Sequence, residues 1–138
     1  ILASASAVRR YNLTPLARIG AAASAGVEPR VMGLGPIAAV ERLQQRGARA
    51  AAAYDVIELN EAFAAQVLAC LRAWDIADDD PRVNAKGGGI SMGHPLGMSG
   101  ARIAGTAARR LSETGGASAL VTLCVGVGQG VALELLSA

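Results

Sequence analysis

Residues 55–63 read DVIELNEAF. A short apolar run, Asp55 to Leu59, stops at the polar pair Asn60-Glu61, and Phe63, Val67, Leu71 and Trp74 then recur at the spacing of one helical face. The stretch predicts a strand, a turn and an amphipathic helix in direct succession. The same alternation continues outward in both directions. Upstream, Gly35-Pro36 opens a helix with proline at its first position, where the missing N–H costs nothing. Ile37, Val40 and Leu43 lie on one face of that helix, and Gly47 ends it. Before it, Leu16 to Val27 reads as a small-residue strand with its own loop, set off by the turn-like Asn12-Leu13-Thr14-Pro15. The opening ILASASAV reads as a strand end feeding a short helix, in the manner of a truncated chain, so a boundary is expected near Pro15.

Downstream, Asp78-Asp79-Asp80-Pro81 reads as a loop, and a glycine-rich segment from Gly87 to Gly100 leads into a helix carrying Ile103, Ala107 and Leu111. That helix is predicted to end near Gly115-Gly116. Ala119 to Val125 is a continuous apolar strand, Gly126 to Gly130 a tight turn, and Val131 to Leu136 a last strand. Strands alternating with helices predict an α/β layered domain.

The 138 residues fit one domain. A hydrophobic fraction of 52% against 17% charged residues excludes a disordered tail. The net charge is +2, carried by twelve arginines scattered as singlets or adjacent pairs and one lysine. With no basic stripe and only 3% aromatic residues, the chain lacks a nucleic-acid footprint. Cys70 and Cys124 have no metal-ligand partners at short spacing, and a single histidine does not complete a usual zinc set, so no metal is expected. No apolar run approaches the roughly 18 residues of a membrane span, and no signal-like core is present. Reduced thiols point to a cytoplasmic protein.

Three polar segments follow predicted strands: NEAF at Asn60–Phe63, GHP at Gly93–Pro95 and CVGVG at Cys124–Gly128. Strand ends are where α/β folds place their sites. Each segment also has a plainer explanation. Asn60 and Glu61 sit where a helix cap and a first-turn acid belong. His94 could satisfy a buried carbonyl, and Cys124 could be a small core hydrophobe, the reading Cys70 keeps. The glycines before His94 and after Cys124 shift the weight, because they let something approach the backbone closely. A histidine and a cysteine displayed on such turns can exchange protons with a substrate, while free backbone N–H groups can stabilise an oxyanion.

Asn84, Gly87-Gly88, Ile90-Ser91, Gly93-His94-Pro95, Gly97 and Ser99-Gly100 resemble the pattern around the thiolase catalytic histidine. NEAFAAQ (Asn60–Gln66) and ALVTLCVGVGQGVA (Ala119–Ala132) resemble two further thiolase signatures, and the three together cover most of the chain. GVGQG and SAGVEPRVMGLGP (Ser24–Pro36) look most like the 3-oxoadipyl-CoA branch. Lys86, Gly89 and Ser91 depart from residues common in relatives.

The resemblance implies the C-terminal half of the thiolase fold: a five-stranded mixed sheet with helices on both faces, over residues 16–138. Residues 1–15 would be the tail end of an N-terminal half that holds the nucleophilic cysteine. It implies acyl transfer between a 3-oxoacyl-CoA and CoA, giving acetyl-CoA, or the reverse Claisen condensation. His94 would deprotonate the nucleophile and then donate to the thioester oxygen, and Asn60 would hold a water beside it. Cys124 would move the proton of the acetyl α-carbon, and the Gly126 N–H would serve a second oxyanion hole. Met32, Ala62 and Phe63 would line the acyl and pantetheine tunnel. Coenzyme A enters as co-substrate with no other cofactor, the partner is the N-terminal half, and the complete protein would form homodimers or tetramers. The competing readings are a non-catalytic fragment lacking the nucleophile, and a ketoacyl synthase relative, disfavoured because those enzymes carry a second histidine where NEAF stands.

Overall fold

The computed structural model describes residues 1–138. Four strands, β1 (Arg18–Gly26), β2 (Val56–Leu59), β3 (Ser118–Val125) and β4 (Gln129–Leu136), form one sheet in the order β1-β4-β3-β2. β2 and β3 are parallel, whereas β3–β4 and β4–β1 are antiparallel. The helices are α1 (Ala5–Arg10), α2 (Gly35–Gln45), α3 (Ala64–Ala73), α4 (Gly89–Met92) and α5 (Leu96–Thr114). A parallel pair needs a long crossover, and here that crossover holds α3, α4 and α5. None of the helices is long and apolar enough to cross a membrane.

Alternation along the strands builds two apolar layers. Ile57, Leu59, Leu120 and Ala132 pack with Ala39, Val40 and Leu43 of α2 and with Cys70 and Leu71 of α3. Val56, Ala119, Val121 and Leu135 pack with Ile103, Ala107 and Leu111 of α5. Helices therefore cover both faces, and every residue of β2 is buried, as a parallel strand between two layers requires. Each fully buried Leu or Ile contributes about 1.5–3 kcal/mol. By contrast, α1 has no buried residue.

The expected five-stranded sheet is corrected to four strands. Beyond β2 the chain reaches the sheet edge only at Arg82–Asn84. Ile57 N–H donates to the Arg82 carbonyl at 3.0 Å, and Asn84 N–H donates to the Ile57 carbonyl at 2.9 Å. Val83 thus makes a single parallel bridge to Ile57. The next upstream donor of such a ladder, the Arg82 N–H, is held by the Asp80 carboxylate at 2.9 Å, and downstream Asn84, at φ +45°, turns the chain away while its side chain takes both backbone groups of Leu59.

One charged pair lies inside the α5 layer. Arg110 of α5 donates to the Glu58 carboxylate of β2 at 2.7 Å and to the Arg82 carbonyl at 3.0 Å, with both side chains almost wholly buried. Burial pushes the Glu58 carboxyl above its ordinary range, against the pull of Arg110. This pair pins α5 to the strand that ends at Asn60.

Candidate active site

Parallel β2 and β3 end at the same sheet edge. Asn60, the first residue past β2, donates its N–H to the Thr122 carbonyl at 3.0 Å, two residues before Cys124. Its side chain is buried, and its Nδ2 lies 3.3 Å from His94 Nε2. His94 Nδ1 lies 2.6 Å from the Ser99 hydroxyl, which donates to the Pro95 carbonyl at 3.2 Å. With its one hydrogen spent on Pro95, Ser99 can only accept from the ring. That network assigns the proton to Nδ1 and turns the Nε2 lone pair toward Asn60. Asn60 Oδ1 is buried and has no partner.

The capping explanation of Asn60 and Glu61 does not hold. α3 begins at Ala64 behind Phe63, with no side-chain cap. The Glu61 carboxylate instead accepts from Asn84 Nδ2 at 3.0 Å and from the Ile90 N–H at 2.9 Å. Asn84 in turn pairs with both backbone groups of Leu59, at 2.8 and 2.9 Å. The glycines have their use here: a Cβ on Gly88 would overlap the Glu61 carboxylate, and one on Gly89 would lie 2.7 Å from the Glu61 carbonyl oxygen. What approaches that backbone is Glu61 itself, which clamps the segment leading to His94.

Cys124 sits at the end of β3 opposite Gly130 and is half-buried. Leu123 packs on the α5 side, so alternation places the Cys124 thiol on the α3 side, with Leu120. Burial raises its pKa. Cys70 of α3 is close enough to feel the charge of Cys124, but burial is the larger effect and pushes its thiol up to about 11. Cys70 accepts from Gln66 Nε2 at 3.5 Å and donates to the Gly33 carbonyl at 3.7 Å, which leaves it a packing residue.

Gly126 lies exposed in the turn after β3, and its N–H donates to no acceptor in the chain. Met32 is half-buried on the short 3-10 turn Pro29–Leu34, which packs against α3, β3 and β4. Ala62 is half-buried and hydrogen-bonded to the Asn60 carbonyl at 3.1 Å, while Phe63 is 60% exposed. The structure thus joins Asn60 to His94 directly and puts Cys124 and Gly126 at the neighbouring strand end. Ala62 and Phe63 follow Asn60 in the chain, and Met32 reaches β3 through its turn. The orienting Ser99 was missed by sequence reasoning, although it lies in the quoted histidine segment, five residues past the ring it holds.

A buried carboxamide just past β2, an imidazole held against it from the turn between α4 and α5, and a thiol near the end of the neighbouring strand β3 make an arrangement capable of acid–base chemistry. The family model "Thiolase, C-terminal domain" matches residues 13–137, and the chain belongs to that family. It is 58% identical over 135 residues to a beta-ketoadipyl-CoA thiolase of Pseudomonas aeruginosa, covering 98% of this chain and 34% of that protein. It is 54% identical over 135 residues to the 3-oxoadipyl-CoA/3-oxo-5,6-dehydrosuberyl-CoA thiolase of Escherichia coli, with the same coverage. The crystal structure of human mitochondrial 3-ketoacyl-CoA thiolase in complex with CoA superposes with a TM-score of 0.91 at 40% identity, covering 99% of this chain and 34% of that one. The chain therefore spans about a third of the length of the relatives it matches.

Proposed function

We propose that the protein to which this chain contributes transfers an acyl group between 3-oxoadipyl-CoA and CoA, releasing acetyl-CoA, and can run the reverse Claisen condensation. A cysteine thiolate of the preceding half attacks the 3-oxo carbon, the C2–C3 bond breaks, and the acyl group rests on that sulfur until CoA takes it. His94 Nε2, unprotonated and held by only the 3.3 Å contact from Asn60 Nδ2, accepts the proton of the nucleophile and then donates to the thioester oxygen of the departing acetyl-CoA. Asn60, whose buried Oδ1 has no partner, holds a water at the same oxygen. Cys124 protonates the released α-carbon, and the Gly126 N–H stabilises the oxyanion of the acyl intermediate. Met32, Ala62 and Phe63 line the path of the acyl and pantetheine arm.

The observation that carries this reading is the chain of hydrogen bonds from Asn60 through His94 to Ser99, which presents an oriented base at a sheet edge. The names of relatives at 51–59% identity support 3-oxoadipyl-CoA as the substrate. Ile90, Leu96 and Val127 are 64%, 81% and 79% exposed on the segments around this edge, as surfaces facing a second half would be. We assign residues 1–15 to that half, the assembled protein to a homo-oligomer, and its location to the cytoplasm.

A chimera tests the reading. This chain replaces the matching third of the Pseudomonas relative, and CoA-dependent cleavage of 3-oxoadipyl-CoA is measured beside that of a straight-chain 3-oxoacyl-CoA. The proposal expects preferential cleavage of the dicarboxylic substrate, lowered about 10²–10⁴-fold by His94→Ala. A folded chimera that cleaves neither substrate, or a variant that matches its parent, refutes it.

A further inference from the structure

α5 turns a second polar side chain toward the histidine segment. One helical turn beyond Ser99, Arg102 donates from Nη1 to the Gly93 carbonyl at 3.0 Å. Its Nη2 is buried and has no partner, and it makes no ion pair. The nearest acid on β2, Glu58, is already held by Arg110, so the hydrogen-bonding reach of Arg102 is directed at the backbone beside His94. Gly93 has φ +87°, a conformation that L residues rarely adopt. Pro95 confines His94 to extended backbone. The turn Gly93–Pro95 is therefore gripped twice from successive turns of one helix: Ser99 holds the ring, and Arg102 holds the carbonyl that precedes it.

We infer that Arg102 is a positioning residue for His94, fixing the Gly93 turn so that Nε2 faces Asn60 while Nδ1 meets Ser99. The inference rests on the reading of His94 as the general base. Arg102 lies outside every motif position given a role above. A surface arginine on a solvated helix face would have its guanidinium in water, whereas here one nitrogen is buried and another is spent on a main-chain carbonyl three residues before the helix begins.

The test uses the chimera with Arg102→Met, which removes donor and charge, and Arg102→Lys, which keeps one of each. Arg102→Met should lower kcat about tenfold to a hundredfold, the scale on which a misplaced reacting group loses rate. KM for CoA and the melting temperature should be unchanged, and Arg102→Lys should recover most of the rate. The ring ¹⁵N signals of His94, identified with His94→Asn, should change from one nitrogen protonated to a tautomer mixture. If Arg102→Met does not fold, Arg102→Gln supplies an uncharged donor to the same carbonyl and should retain the His94 signature. Arg102→Met turning over at the parent rate would overturn the inference. So would a loss of rate that follows the melting temperature while the His94 signals stay fixed. Full activity in His94→Asn would instead dismiss the reading of His94 itself. An inactive His94→Asn beside a fully active Arg102→Met dismisses Arg102 alone.

Discussion

Ser99→Ala separates orientation from stability. The Ser99 side chain is wholly buried, and the substitution deletes two hydrogen bonds, from the His94 ring at 2.6 Å and to the Pro95 carbonyl at 3.2 Å. Pro95 keeps two other donors, the N–H groups of Met98 at 2.8 Å and Ser99 at 3.0 Å. Its carbonyl is therefore not orphaned. His94 is half-buried, so its Nδ1 can recover part of the lost bond from water. The net cost in stability is then about 1 kcal/mol, the ordinary worth of one exchanged hydrogen bond. The effect on chemistry is larger, because only the 3.3 Å contact from Asn60 Nδ2 to Nε2 then bears on which ring nitrogen carries the proton and on how the ring is turned. A misplaced catalytic group loses on the order of 10²-fold in rate, so a kcat loss of up to that size is expected. The assay is thiolysis by the chimera beside a denaturant melt of the same preparation. A variant with the parent kcat, or one whose loss is matched by a stability loss of several kcal/mol, would refute the reasoning.

Other expectations follow from the supports of the site. Glu61→Ala strips the acceptor from Ile90 N–H and Asn84, and charged hydrogen bonds of this kind are worth about 1.5–3 kcal/mol; hydrogen exchange at the Ile90 amide should accelerate while that of β3 does not. Arg110→Met leaves Glu58 buried without its partner and should lower stability by about 3–5 kcal/mol in a urea titration, and adding Glu58→Leu should recover much of it. Asp55 accepts the N–H groups of Ser118 and Ala117, and these hold its carboxyl below the usual range. Its contribution is therefore complete above the ordinary carboxylate pKa and is lost as pH falls through the lowered one. Asp55→Asn should flatten the acid limb of the stability curve, by about 1 kcal/mol or less because the group is exposed.

The layered fold was legible because its signals are local. Apolar runs mark β2, β3 and β4, with polar residues bounding the first and glycines the turns around the other two, and the spacing of Ile103, Ala107 and Leu111 marks the buried face of α5. The strand count was not legible, since whether Arg82–Asn84 extends the sheet depends on one backbone dihedral at Asn84 and on the Arg82 N–H being drawn to the Asp80 carboxylate. The positions of Asn60 and Cys124 at strand ends follow from the pattern, whereas the expected strand before Gly93–Pro95 is absent and His94 sits between α4 and α5. The grip on these residues does not follow from the pattern. Glu61 reaches Ile90 across 29 residues and Asn84 across 23. An acid placed just before a helix carries the same local signature whether it caps that helix or clamps a distant loop. Arg102 shows the same limit: its partner carbonyl belongs to a turn whose shape is fixed only once α5 is docked.

The central claim is a division of labour, with His94 serving the nucleophile and Cys124 the α-carbon. It is tested most directly by incubating the Cys124→Ser chimera with acetyl-CoA labelled in its acetyl group, then following both the label on the protein and exchange of the methyl protons with solvent. A serine hydroxyl does not ionise near neutral pH. The account therefore predicts that the acetyl label still accumulates on the protein, while methyl-proton exchange and condensation fall by at least about 10²–10⁴-fold. Condensation at the parent rate would contradict it and return Cys124 to the role of a small core residue at the end of β3.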